Sequence, residues 1–336
     1  DKSLEGLDEG LFWRAIVEAV AGDRAQAARD LRRVGPMIRF YPRALALPLG
    51  LIVAETAIDL GDFKVGIFYL ESLVAAGPTP PQRAHIDYLE GRIFELTGDF
   101  DKALEKWEAV GKGPDRLARY RATRDRIELM LKLEQIDHST AIEGLENLRY
   151  AWRGDDMEFA LLRRLGTLYL EADDYREGLR TLRQAATYYR EHARAPEVTQ
   201  QMAEAFSRLF LDDAADKLSP VSAIALFEEF RELTPVGGRG DDMIRKLADR
   251  LTKVDLLDRA AELLRGQVEF RLKGVERARI GNQLALVYLL DRKPDEALGV
   301  LRLTEEPGLP PDLAAQRLHL RAKTLMSKGD GAAALA

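Results

Sequence analysis

The chain has 336 residues and no cysteine, which excludes disulfides, thiolate metal sites and cysteine nucleophiles. Its 50 basic and 56 acidic residues leave a net charge of −6, without the basic surplus usual in nucleic-acid binders. No uncharged run is longer than Ala44–Ala54, which contains Pro48 and Gly50 and falls well short of the roughly 20 residues of a membrane span.

Hydrophobic residues make up 46% of the chain, and Ala, Leu, Glu and Arg are abundant, which predicts an all-α protein. In chain order, a small residue behind a turn signal returns at Ala27, Gly66, Ala103, Ala141, Gly178, Ala223, Ala260, Ala297 and Ala334. The successive gaps are 39, 37, 38, 37, 45, 37, 37 and 37 residues. A fixed period of this size predicts stacked helical hairpins. Their turns are expected near Gly22, Gly61, Gly98, Ile136, Asp173, Lys217–Pro220, Asp255, Arg292 and Gly329.

The unit Ala84–Pro114 shows the pattern through Gly91 and Phe94, the turn Gly98-Asp99-Phe100, then Ala103 and Trp107. In Phe159–Thr187, Leu162, Leu165, Gly166 and Tyr169 recur at helical spacing, and Gly178, Leu182 and Ala185 face them from a second helix. Gly166 and Gly178 let those helices approach closely. Units around Ala141, Ala223 and Ala260 keep the spacing but lose the Gly and Tyr, although Ser219-Pro220 still reads as an N-cap with proline in the first turn.

This order of small and large residues resembles the tetratricopeptide repeat over essentially the whole chain. The resemblance implies a right-handed superhelical solenoid of about eight antiparallel hairpins. The family period is about 34, so helices about one turn longer are expected here. The gap of 45 predicts a long helix or an inserted loop within residues 188–218, dividing an array at 1–187 from another at 188–336. The last unit stops within its second helix without a polar capping helix, so the native chain is expected to continue past Ala336. The start at Asp1 suits a removed leader or an excised piece.

Among candidate chemical groups, His85, His138, His192 and His319 have no mutual ligand spacing and read as solvent-facing or capping residues. The pairs Asp155-Asp156, Asp173-Asp174, Asp212-Asp213 and Asp241-Asp242 fall at expected helix boundaries, where aspartate caps free N–H groups. Gly237-Gly238-Arg239-Gly240 lacks the strand and Gly-Lys-Ser/Thr of a phosphate loop and reads as a flexible inter-repeat loop. The Arg-Gly-Asp inside it is a chance match.

The run Arg116, Arg119, Arg121, Arg124, Arg126 covers more than one helix face, as a solvated helix does. If first helices line a concave groove, as the resemblance implies, Tyr88 and Arg92, Arg126 and Met130, and Arg163 and Thr167 take equivalent places in three successive hairpins. Aligned arginines would suit an extended acidic peptide. The Lys/Asn carboxylate clamp of chaperone-binding relatives is not matched, because Arg92, Met130 and Thr167 stand where asparagine would help.

These residues predict a non-catalytic scaffold that binds a protein or peptide, without cofactor, metal, nucleic acid or membrane span. The alternative is the helical arm of a larger enzyme or enzyme regulator. Arginine-rich, cysteine-free composition suits a bacterial periplasmic assembly factor for an envelope machine, with a cytoplasmic adaptor as the other reading.

Overall fold

The structure, a computed structural model, describes residues 8–212 and 214–335. Among these residues no strand occurs; eighteen α-helices follow one another as antiparallel pairs. The pairs are α1 (Asp8–Ala21) with α2 (Arg24–Val34), α3 (Arg43–Asp59) with α4 (Phe63–Ala75), and α5 (Pro80–Thr97) with α6 (Phe100–Gly111). Next come α7 (Arg116–Lys132) with α8 (His138–Leu148), α9 (Asp156–Glu171) with α10 (Tyr175–Tyr188), and α11 (Ala195–Leu211) with α12 (Pro220–Glu229). The series ends with α13 (Gly238–Lys253) and α14 (Leu257–Gly266), α15 (Gly274–Leu290) and α16 (Pro294–Leu303), and α17 (Pro311–Ser327) and α18 (Gly331–Leu335). These nine antiparallel hairpins form the all-α repeat array that the period predicts, the last of them closed by the short α18.

One backbone device closes eight of the nine hairpins. A residue with positive φ ends the first helix: Gly22, Gly61, Gly98, Glu134, Asp173, Asp255, Arg292 or Gly329. The following N–H then reaches back to a carbonyl five residues earlier, at 2.8–3.0 Å in all eight, for example Asp99 to Phe94 and Lys293 to Tyr288. This is the Schellman bond, which satisfies the orphan carbonyls of a helix end. Asp23 and Asp62 serve twice, since their carboxylates accept N–H groups at the start of the second helix.

The small residue that marks the period lies one turn into the second helix, where the two helices cross. Ala27, Ala103, Ala141, Ala260 and Ala297 are fully buried there. At Gly178 an added Cβ would stand 2.8 Å from Leu170 and 3.1 Å from the Gly166 carbonyl. The first helices from α3 onward have 16–18 residues against 10–14 for the second helices from α4 to α16, so the length of the period lies mainly in the first helices.

The chain divides into two compact units, Asp1–Thr181 and Leu182–Ala336, and α10 runs across the division. In the first unit α1, α3, α5 and α7 pack side by side, and each second helix packs on the next first helix. Apolar clusters follow in series: Phe12, Leu31 and Val53; then Ile58, Leu89 and Trp107; then Tyr120, Leu145 and Leu165. In the second unit α11 packs on α13 and α15 on α17, and Phe206, Phe210 and Phe227 form an aromatic cluster with ring centroids 4.9–5.9 Å apart.

Two local expectations meet different outcomes. Of the long helix or inserted loop expected for the 45-residue gap, the loop is found: α11 has an ordinary 17 residues, and the added length lies in the α11–α12 connection, 212–219, with a 3₁₀ turn at Ala214–Lys217. Ser219 does cap α12, its hydroxyl accepting from the Ser222 N–H at 3.1 Å. The glycine stretch is not a flexible loop. Gly237 turns with φ 77° and Gly238 already opens α13, so Gly240 is buried against the Pro235 carbonyl.

Candidate functional site

The first helices of the first unit carry charges where a simple core would carry none. Glu55 and Asp59 of α3, Tyr88, Arg92 and Glu95 of α5, and Arg121, Arg124, Asp125 and Glu128 of α7 converge on one cavity of about 400 Å³, which Arg24 and Met157 also line. Four guanidinium groups thus meet five carboxylates. Most are held in ion pairs, some within one helix and others across hairpins.

Asp59 is gripped by both Arg24 and Arg92. Glu55 takes His85 at 3.2 Å and Arg121 at 3.4 Å on its two oxygens. Asp125 accepts the Tyr88 hydroxyl at 2.7 Å and the Arg124 Nε at 2.7 Å. Glu128 accepts Arg164 Nε of α9 at 2.8 Å. Tyr88 is fixed from behind, since Trp107 donates its indole N–H to the Tyr88 carbonyl at 3.1 Å. Through Tyr88 and Trp107 the charged cluster is tied to the core.

Its electrostatics are set by burial against pairing. Burial pushes the Glu55 carboxyl up, but the His85 hydrogen bond and the charges of Arg121, His85 and Arg24 outweigh it and hold the group down at about 2. Glu95 moves the other way, raised first by burial and then by the nearby Asp125. Burial and the Asp125 charge push the Tyr88 hydroxyl well above the ordinary phenol value, so it remains a hydrogen-bond donor.

The expected groove residues separate into two sets. Tyr88 and Arg92 belong to the cavity. Arg126 points instead toward α6, where it pairs with Glu108 at 3.5 Å. Met130, Arg163 and Thr167 are half-buried outside the cavity lining, and Thr167 donates to the Arg163 carbonyl at 2.9 Å. For Arg126 and Met130 the reason is a difference in turn length, whereas Arg163 and Thr167 keep the expected register in a hairpin that the cavity does not reach. Between Glu134 and the α8 N-cap Asp137 lie two residues, Gln135 and Ile136, where most hairpins have none. Counting back from Ala141 therefore misplaces α7 by two positions, and Arg124 and Glu128 are the true equivalents of Tyr88 and Arg92.

The arginine run on α7 resolves into separate tasks. Arg116 donates to the Ala151 carbonyl at 2.7 Å and lies over Trp152; Arg119 donates to the Gly113 carbonyl; Arg121 and Arg124 enter the cavity; Arg126 meets α6. Counting from the left-handed turn residues would have found this register. Glu55 and Asp59 had no sequence signal beyond being charges in the apolar helix α3. His85 is a cavity-side partner rather than a solvent-facing residue, and His138 pairs with Glu171 at 3.6 Å. Asp155 caps α9 as expected, while Asp241 pairs with Arg271 at 2.9 Å. Asp213 of the pair Asp212-Asp213 lies outside the described residues.

Among the described residues no group of His, Asp or Glu is arranged to hold a metal ion, and no helix is long and apolar enough to cross a membrane. No family model and no curated protein matches the chain. Among solved structures it is similar to a chain of the APC/C hetero-tetramer Cut9–Hcn1, with 14% identity, 100% of this chain and 58% of that one covered, and a TM-score of 0.43. Human IFIT1, as a dimer with PPP-AAAA, gives 18% identity, coverages of 90% and 65%, and a TM-score of 0.45. The apo quorum sensor NprR from B. thuringiensis gives 16%, 97% and 95%, and 0.41. The chain spans less than two thirds of the first two. Likenesses of this degree stop short of function.

Proposed function

We propose that the chain is an interaction scaffold that holds an extended peptide segment of a partner protein in the cavity between α3, α5 and α7. The observation that carries this reading is the convergence of four guanidinium groups, five carboxylates and Tyr88 from successive first helices on one cavity of about 400 Å³. Folding alone gives little reason for such a cluster, because buried ion pairs barely offset their desolvation and apolar replacements are often as stable. A volume of this size lies within the range of ligand sites.

The pairs are exchangeable. A partner carboxylate can take the place of Asp59 on Arg92, and a partner amine or guanidinium can take the place of Arg121 on Glu55. Both signs of ligand charge thus find a counter-charge, so the expected preference for a purely acidic partner gives way to one for mixed charge. A display screen of random peptides against the purified chain tests this. Selected peptides should carry neighbouring acidic and basic residues, and their affinity should fall as salt rises. Arg121→Ala combined with Glu128→Ala should weaken them about tenfold, as lost charge-assisted bonds do. Selected binders indifferent to both salt and this double substitution would place binding elsewhere.

A further inference from the structure

Nine charged side chains line the cavity between α3, α5 and α7, and eight of them already hold a counter-charge. Arg24 and Arg92 share Asp59, Arg121 holds Glu55 at 3.4 Å, Arg124 holds Asp125 at 2.6 Å, and Glu128 holds Arg164 at 2.8 Å. The ninth is Glu95, on the last turn of α5. Among the described residues its carboxylate has neither an ion pair nor a hydrogen-bond donor.

Glu95 is half-buried, so a ligand can reach it. Its carboxyl is raised above the ordinary value by burial and by the Asp125 charge, against the opposing charges of Lys132 and Arg92. Asp125 and Arg92 are themselves wall residues, which puts the group on the cavity side of α5. Lys132, near the end of α7, is exposed and rests over the Phe100 ring, 5.9 Å from its centroid, rather than on Glu95. A partly desolvated carboxylate without a partner destabilises the fold until a cation reaches it.

The eight paired groups differ from Glu95 in what binding requires of them. A ligand charge that lands on Asp59 or Arg121 must displace a partner, and the pair lost offsets much of the pair gained. A cation on Glu95 displaces only water and adds a charge-assisted bond outright. We infer, resting on the reading of this cavity as the peptide site, that Glu95 is its cation subsite. The partner segment sets a lysine ammonium or an arginine guanidinium there, and this contact, more than exchange of the existing pairs, decides which segments bind.

The test selects a random-peptide library on the full chain and measures the leading peptide by calorimetry. Each of its lysines is replaced in turn by norleucine and each arginine by citrulline, which keep the stem and remove the charge. One such replacement should weaken binding to wild type about tenfold and make no further difference to Glu95→Gln, which itself binds the parent peptide about tenfold more weakly. Whether that replacement is norleucine or citrulline tells an ammonium from a guanidinium. Glu95→Gln should leave the urea midpoint at or above the wild-type value, because it removes a charge that has no partner in the fold. A lowered midpoint would assign Glu95 to a structural pair, such as one with Lys132, and overturn the inference. It is also overturned if no basic residue of the peptide couples to Glu95 while Arg121→Ala with Glu128→Ala still weakens binding; the cavity would then remain the peptide site without this subsite. If the peptide is indifferent to that double substitution and to Glu95→Gln, or if no peptide is selected, the reading of the cavity falls with it.

Discussion

Residues with a Cβ occupy the left-handed region at four hairpin turns, Glu134, Asp173, Asp255 and Arg292, with φ between 56° and 63°. Each holds a conformation that glycine adopts without steric cost. Arg292 is exposed, so Arg292→Gly should stabilise the chain by about 1 kcal/mol, read as a raised urea midpoint. A lowered midpoint would mean that its side chain does something more than close the turn. Glu55 offers a pH test. Its folded value is depressed, so its contribution is complete above the unfolded value near 4.5 and is lost as pH falls through about 2. Wild type should exceed Glu55→Gln by about 3 kcal/mol at neutral pH, and the difference should vanish toward pH 2. A pH-independent difference would show that the carboxylate's charge is not what matters.

At the scale of elements, the hairpins depend on small residues at crossings and on ion pairs spaced one period apart. Ala103 is fully buried between α5 and α6, so Ala103→Leu should cost about 1–3 kcal/mol; an unchanged melting midpoint would contradict this packing. The second helices were legible in the sequence because a crossing forces a small residue one turn after each turn signal. Registers of the first helices were less legible, because they depend on turn length. Gln135 and Ile136 shift α7 by two positions relative to Ala141, and that shift separates Arg124 in the cavity from Arg126 on α6. Arg126→Ala should therefore leave peptide affinity unchanged where Arg124→Ala lowers it about tenfold, measured by calorimetry on the same peptide. The glycines at 237–240 misled for a related reason: a chain that looks free in sequence is held by the Gly240 approach to Pro235.

For the whole molecule, each unit is a series of neighbours rather than one core, so stability should vary along the chain. Helix α15 buries eight residues, whereas α17 buries only Leu313 and Thr324. Amide hydrogen exchange should be slow in α5, α7 and α15 and fast in α17; uniform protection would contradict a nearest-neighbour array. The spacing of small residues made the all-α repeat readable from the sequence, but partner chemistry depends on which charges meet across hairpins, and only the fold reveals that. The central claim is that the cavity between α3, α5 and α7 receives the partner segment. Its most direct test is photo-crosslinking of a display-selected peptide carrying a photoreactive side chain to the purified chain, with the attachment points mapped by mass spectrometry. Attachment should concentrate on α3, α5 and α7 around Asp59, Arg92 and Glu128. Attachment confined to the second helices, or to residues beyond Thr181, would contradict the account.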